Sequence, residues 1–99
     1  MEVVDVLPYP NPYDQATGGL DISFDVTRPA TLITISMYSN GYRKVLEKKV
    51  PGNFLRQTVV TVEVAMFDRL ASGIYFVVIK GENGAESARS KPGKIIIMR

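Results

Sequence analysis

Leu20, Ile22, Phe24 and Val26 alternate without interruption with Asp21, Ser23, Asp25 and Thr27. A period of two sends the two sets to opposite faces of an extended chain, so the segment reads as a strand with one buried and one wet face. The pattern recurs. Ile33, Ile35 and Met37 alternate with Thr34, Ser36 and Tyr38, and Thr58, Val60, Val62 and Val64 alternate with Val59, Thr61 and Glu63. Leu70-Ala71-Ser72-Gly73 leads into the apolar run Ile74–Ile79, which stops at Lys80-Gly81. That run reads as a buried central strand entered through a glycine corner.

The intervening residues read as punctuation. Arg28-Pro29-Ala30 and Pro51-Gly52-Asn53 are expected to end strands, because proline lacks a ladder donor and restricts its predecessor. Asn40-Gly41 and Asn83-Gly84 predict two tight hairpins, the first as a type I′ turn. Tyr42–Val50 is rich in lysine and alternates poorly, as an edge strand does. Val3–Leu7 reads as a first short strand, and Pro8, Pro10 and Pro12 predict an extended crossing segment after it. Phe67–Ser72 reads as a loop. The last hairpin is interrupted at Lys91-Pro92-Gly93 and resumes through Lys94–Arg99. About seven short strands with no helical period predict an all-β, antiparallel sandwich.

The chain has 99 residues, the size of one domain. It contains no cysteine and no histidine, which removes disulfides, thiolate metal sites, the commonest general base and the commonest zinc ligand. Residues 1–27 carry Glu2, Asp5, Asp14, Asp21 and Asp25 and no basic residue, a net charge of −5. Residues 28–99 hold all 12 basic residues and the other 5 acids, a net +7. Two readings follow: acidic and basic strands facing each other, or a basic face for a partner. No apolar run is long enough to span a membrane, and no charged leader with an apolar stretch opens the chain.

Candidate chemistry is sparse. Asp21 and Asp25 share a strand face about 13 Å apart, too far for either glycosidase geometry, and no enzyme activity is expected. Asn11, Asp14, Gln15 and Asp21 surround the Gly18-Gly19 loop, and oxygen ligands there could hold calcium. The spacing matches no helix–loop–helix site, so a polar loop is the plainer reading; no cofactor or metal is expected. Tyr9, Tyr13, Tyr38 and Tyr42 are the candidates for a sugar-stacking platform. Tyr38 and Tyr42, flanking the Asn40-Gly41 turn, are the best placed, although a cross-strand aromatic pair also stabilises a hairpin. Arg43, Lys44, Lys48 and Lys49 alternate in a strand, with Arg43 and Lys49 on one face and Lys44 and Lys48 on the other. Nucleic-acid binding is therefore not expected.

An ordered set of segments carries a family resemblance. Pro10-Asn11-Pro12, Ile22-Ser23-Phe24, Pro29-Ala30-Thr31, Ile35–Val45, the Ala71–Phe76 corner and Gly93–Arg99 are together similar to the immunoglobulin-like C-terminal modules of the flagellar hook-capping type. They also resemble the related C-terminal sorting domains of type IX secretion. The resemblance covers about Leu7 to Arg99. It implies an immunoglobulin-like sandwich at the C-terminus of a larger exported bacterial protein, extracellular or on the cell surface, with the leader far upstream. The implied role is a non-catalytic accessory module, a sorting signal or structural adaptor. Its partners would be the secretion machinery or neighbouring domains, and a monomer is expected. Carbohydrate binding through Tyr38 and Tyr42 is the alternative. Among the residues of the resemblance, Pro12 would fix the crossing segment and Gly73 would occupy a corner closed to side chains. Tyr75 would bury its ring and send its hydroxyl to the backbone. A sorting surface is expected in the tail, through Lys80, Arg89, Lys91, Lys94 and Arg99.

Overall fold

A computed structural model describes residues 1–14, 18–63 and 70–98. The strand expected to continue through Val64, the loop expected from Phe67 and the sites at Gln15 and Arg99 fall partly or wholly outside the described residues. Seven strands follow in order: β1 (Val3–Tyr9), β2 (Tyr13–Asp14), β3 (Leu20–Ser39), β4 (Lys44–Val62), β5 (Gly73–Asn83), β6 (Glu86–Arg89) and β7 (Gly93–Met98). Their pairing forms one sheet that folds over on itself into an immunoglobulin-like sandwich. Its shortest dimension is 20 Å, which accommodates two sheets packed about 10 Å apart plus their outer side chains.

The fold turns on β3 and β4. The expected breaks at Arg28-Pro29-Ala30 and Pro51-Gly52-Asn53 are bends, not ends. β3 runs for 20 residues and β4 for 19. They pair from Leu20↔Val62 to Tyr38↔Lys44, with register shifts between Val26 and Leu32. A proline is tolerated at such a bulge because no ladder donor is needed there. The bulge also switches the inward phase: Leu20, Ile22, Phe24 and Val26 are buried before it, and Ile33, Ile35 and Met37 after it. The first half of β3 pairs with β1, from Val3↔Val26 to Tyr9↔Asp21. The second half pairs with β5, from Leu32↔Glu82 to Ser39↔Tyr75. One long hairpin thus supplies strands to both layers.

The other edge of β5 is lined by β6 and β7, which together read as one interrupted strand. Their registers on β5, Lys80↔Arg89 and Val77↔Gly93, differ by a single-residue shift across residues 90–92. Ser90 fills the irregularity: its N–H donates to Ile79 O at 2.8 Å, and its Oγ accepts from Ile79 N at 2.9 Å. That explains how the Lys91-Pro92-Gly93 interruption is accommodated. The chain from β1 crosses to the opposite layer, where β2 pairs with β7 in parallel, so the sheet is mixed rather than wholly antiparallel. Asn11 stitches the crossing to β7, donating to Lys94 O at 2.9 Å and accepting from Ile96 N at 3.1 Å. The peptide bonds preceding Pro10 and Pro12 are cis.

The turns differ in detail from expectation. Asn40-Gly41 does turn the chain, but the positive φ falls on Tyr42, at 63°. Tyr42 N donates to Ser39 O and Ser39 N to Arg43 O, a three-residue loop rather than a type I′ turn. In the second hairpin Asn83 pairs with Glu86, and the turn is Gly84-Ala85 with Gly84 at φ 59°. The Asn83 amide donates instead to Pro29 O at 2.9 Å.

Gly73 begins β5 without a positive φ, and among the described residues a Cβ there would meet only the Tyr75 ring, at 3.9 Å. The expected closed corner is therefore open. Tight approach occurs instead at Gly19, where a Cβ would lie 2.8 Å from Thr61 Cγ2 and 3.1 Å from Val62 O. Tyr75 itself is buried, and its hydroxyl donates to Ala71 O at 2.7 Å.

Candidate recognition surface

β5 is central, between β3 and the β6–β7 pair, but only one of its faces is fully buried. Tyr75, Val77 and Ile79 point into the core, whereas Ile74 is 38% exposed and Phe76 and Val78 are half-buried. The outer face of this layer therefore carries apolar side chains where a sandwich usually presents polar ones. Its floor on β3 is formed by the buried hydroxyl residues Thr34 and Ser36.

The register places charge in rows across this face. Lys49 on β4 lies opposite Thr34 on β3, Thr34 opposite Lys80 on β5, and Lys80 opposite Arg89 on β6. Neighbouring strands are about 4.8 Å apart, so this row spans roughly 14 Å. Parallel to it run Glu47, Ser36 and Val78, then Lys44, Tyr38, Phe76 and Lys94. Lys44 joins the Lys49 side because the register slips between Met37 and Tyr38. That slip corrects the expected grouping of Lys44 with Lys48. Lys44, Glu47, Lys49, Lys80, Glu82 and Arg89 rim a shallow basin of about 110 Å³ over Thr34, Ser36 and Tyr38.

The electrostatics are partly balanced. Lys44 Nζ lies 3.0 Å from Glu47 Oε1, and Lys80 Nζ lies 3.5 Å from Glu82 Oε1. The hydrogen bond and charge of Glu47 raise the Lys44 ammonium above its ordinary pKa, while the Arg89 charge acts in the opposite sense. The same pair holds the Glu47 carboxyl below its ordinary value. Among the described residues, Lys49 and Arg89 have no ion-pair partner.

The expected tail cluster is divided by the fold. Lys80 and Arg89 stand side by side, Lys94 borders the same face, and Lys91 lines an open cleft of about 710 Å³ against β1 that Arg89 also borders. Arg99 lies outside the described residues. Sequence reasoning missed Lys44 and Lys49, which complete the rim, because the slip in register leaves no trace in composition. Asp21 and Asp25 lie on the other layer: Asp21 accepts from Thr61 Oγ1 at 2.6 Å, and Asp25 pairs with Val4 and Gln57. These two acids therefore do not face the basic row across the sheet, whereas Glu47 and Glu82 do lie within it.

The tyrosines separate as well. Tyr13 is fully buried, with its hydroxyl donating to Gly18 O. Tyr42 is 77% exposed and stacks on Phe76 with centroids 6.0 Å apart and planes 13° from parallel. Tyr38 is the register partner of the same Phe76. The proposed calcium ligands are engaged elsewhere where they are described: Asn11 on β7 and Asp21 on Thr61. Among the described residues no three acidic side chains converge as a metal site would require.

The fold has a solved counterpart. The structure titled "Crystal structure of dimeric latent PorU from Porphyromonas gingivalis" superposes with a TM-score of 0.73 at 16% identity, over 95% of this chain. The chain spans 9% of the length of that protein. None of the curated proteins matches this chain. The profile described as "Secretion system C-terminal sorting domain" matches residues 8–97. This stretch runs from the second half of β1 almost to the end of β7 and so takes in both layers and the rimmed face. The chain belongs to the family of secretion system C-terminal sorting domains, the type IX sorting domains.

Proposed function

We propose that residues 1–99 act as one non-catalytic sorting module, carried at the C-terminal end of an exported protein and read by the type IX export machinery. The observation that carries this reading is the family match over residues 8–97. Its recognition surface is centred on Lys80 and Arg89, with Lys94 at its border and Lys91 and Arg99 as the remaining cations of the tail. The parent protein reaches the cell surface or the medium. The module works as a monomer and needs no cofactor. A structural adaptor role would use the same rigid sandwich without the basic face.

The test is export of a reporter. A reporter with its own leader, fused to residues 1–99, is expected outside a type IX-competent host and inside a host lacking that system. Retention of the fusion in both hosts, with the domain folded, would overturn the sorting reading. Polysaccharide binding through Tyr38 and Tyr42 is the alternative, favoured by the exposure of Tyr42. A polysaccharide pull-down that is lost in Tyr38→Ala and Tyr42→Ala would support it. The stacking of Tyr42 on Phe76 already gives that ring a role in the hairpin.

A further inference from the structure

We propose that the outer face of β4, β3, β5 and β6 docks an acidic, apolar-bearing segment of a partner protein, with Lys49, Lys80 and Arg89 receiving its carboxylates. The clearest sign is the pairing of Lys80 with Arg89 directly across two strands. Like charges in opposed positions weaken a sheet, and Glu82 balances only Lys80. Among the described residues Lys49 and Arg89 form no ion pair within 4 Å, although the Lys49 charge also acts on Glu47, so this row keeps excess positive charge and is a local conflict in an otherwise consistent fold. Such conflicts mark places where a sequence serves something besides its own stability.

The remainder of the face identifies the kind of partner. The basin beside the row holds about 110 Å³, room for a carboxylate group and not for a bulky ligand. Its floor offers the Thr34 and Ser36 hydroxyls as hydrogen-bond partners. The flanking surface is apolar: Phe76 and Val78 lie within the face, and Tyr42, Ile74, Ile96 and Met98 extend it, from 37% to 77% exposed. A free phosphate ion would have no use for that area. A protein segment alternating acidic and apolar side chains matches both parts, the cations by charge and the apolar strip by burial. Asp21 and Asp25 sit on the other layer, and on this face Glu47 and Glu82 offset only part of the charge of Lys44, Lys49, Lys80 and Arg89.

This inference rests on the reading of the domain as a recognition module, but its test needs no export. The isotopically labelled domain is titrated with a peptide of alternating Glu and Val, and backbone NMR shifts are followed. Expected are shifts confined to residues 34–38, 42–49, 74–82, 86–89 and 94–98, and an affinity that falls at least fivefold between 50 and 300 mM salt. Lys80→Gln combined with Arg89→Gln should weaken binding at least fivefold while leaving the melting temperature equal or higher, because the like-charge pair is gone. Arg56→Gln, on the part of β4 that pairs with the first half of β3, should change nothing. A Lys-Val peptide, inorganic phosphate and polygalacturonate are run beside it. No shifts with the Glu-Val peptide, equal binding of the Lys-Val peptide, or binding of phosphate or polygalacturonate in its place would each overturn the proposal. Failed export with peptide binding intact would count against the sorting reading alone.

Discussion

Tyr75 shows how a single side chain can close one end of the sandwich. Its ring is buried, and its hydroxyl reaches back four residues to Ala71 O at 2.7 Å. Tyr75→Phe should lower stability by about 1 kcal/mol, the usual net worth of one hydrogen bond, measured by urea denaturation. The neighbouring Gly73 is much less demanding. With no positive φ and nothing among the described residues closer than 3.9 Å to a new Cβ, Gly73→Ala should leave the unfolding midpoint almost unchanged. Gly19→Ala should cost roughly 1–3 kcal/mol, because the new methyl would press on Thr61 and on the backbone oxygen of Val62. Equal effects of the two substitutions would refute this assignment of crowding. The sequence made the tyrosine legible, since a strand-entry aromatic with one polar atom needs a partner. It made the wrong glycine conspicuous, because crowding depends on which backbone passes nearby, and a Ser-Gly pair does not reveal that.

At the scale of elements, β4 is an edge throughout, bonded among the described residues only to β3. A 19-residue edge is an invitation to pair with another chain, and Lys48 counters it. Its side chain turns inward, and its Nζ reaches Thr61 O of the opposite layer at 3.1 Å. An inward-pointing charge on an edge strand opposes sheet extension. Lys48→Val should therefore keep the fold and produce larger species, seen by light scattering as the concentration rises; a variant that stays monomeric would argue against the guard role. On the other side of the sheet, Ser90→Ala leaves the buried Ile79 N–H without its side-chain acceptor. It should cost about 1–3 kcal/mol in denaturant unfolding. The edge character of Tyr42–Val50 was readable from its lysines. The continuity of β3 and β4 was not, because Pro29 and Pro51 look like terminators in one dimension. The β3–β4 pairing resumes beyond each proline, so the strand passes through it as a bend. The Lys91-Pro92 interruption was visible in sequence, whereas its resolution by Ser90 required knowing that Ile79 lies opposite.

For the molecule as a whole, the bent hairpin of β3 and β4 holds two layers together and separates their outer charge. Asp21 lies on the outer side of one layer, and Lys44, Lys49, Lys80 and Arg89, with Glu47 and Glu82 among them, rim the outer face of the other. The uneven charge along the chain predicted some such asymmetry, and the sandwich converts it into two faces. The all-β class was legible because the period of two survives in nearly every strand. The recognition surface was only half legible, since Lys80 and Arg89 lie in the tail while Lys44 and Lys49 arrive from a distant strand by register. In the proposed reading a folded basic face, rather than the tail as a linear signal, marks this module for export. The most direct measurement is the exported fraction of a reporter fused to residues 1–99 carrying Lys80→Glu and Arg89→Glu, with folding checked by circular dichroism. The account predicts at least a tenfold fall in export with an unchanged spectrum. Undiminished export of that variant, or full export of a reporter bearing residues 80–99 alone, would contradict it.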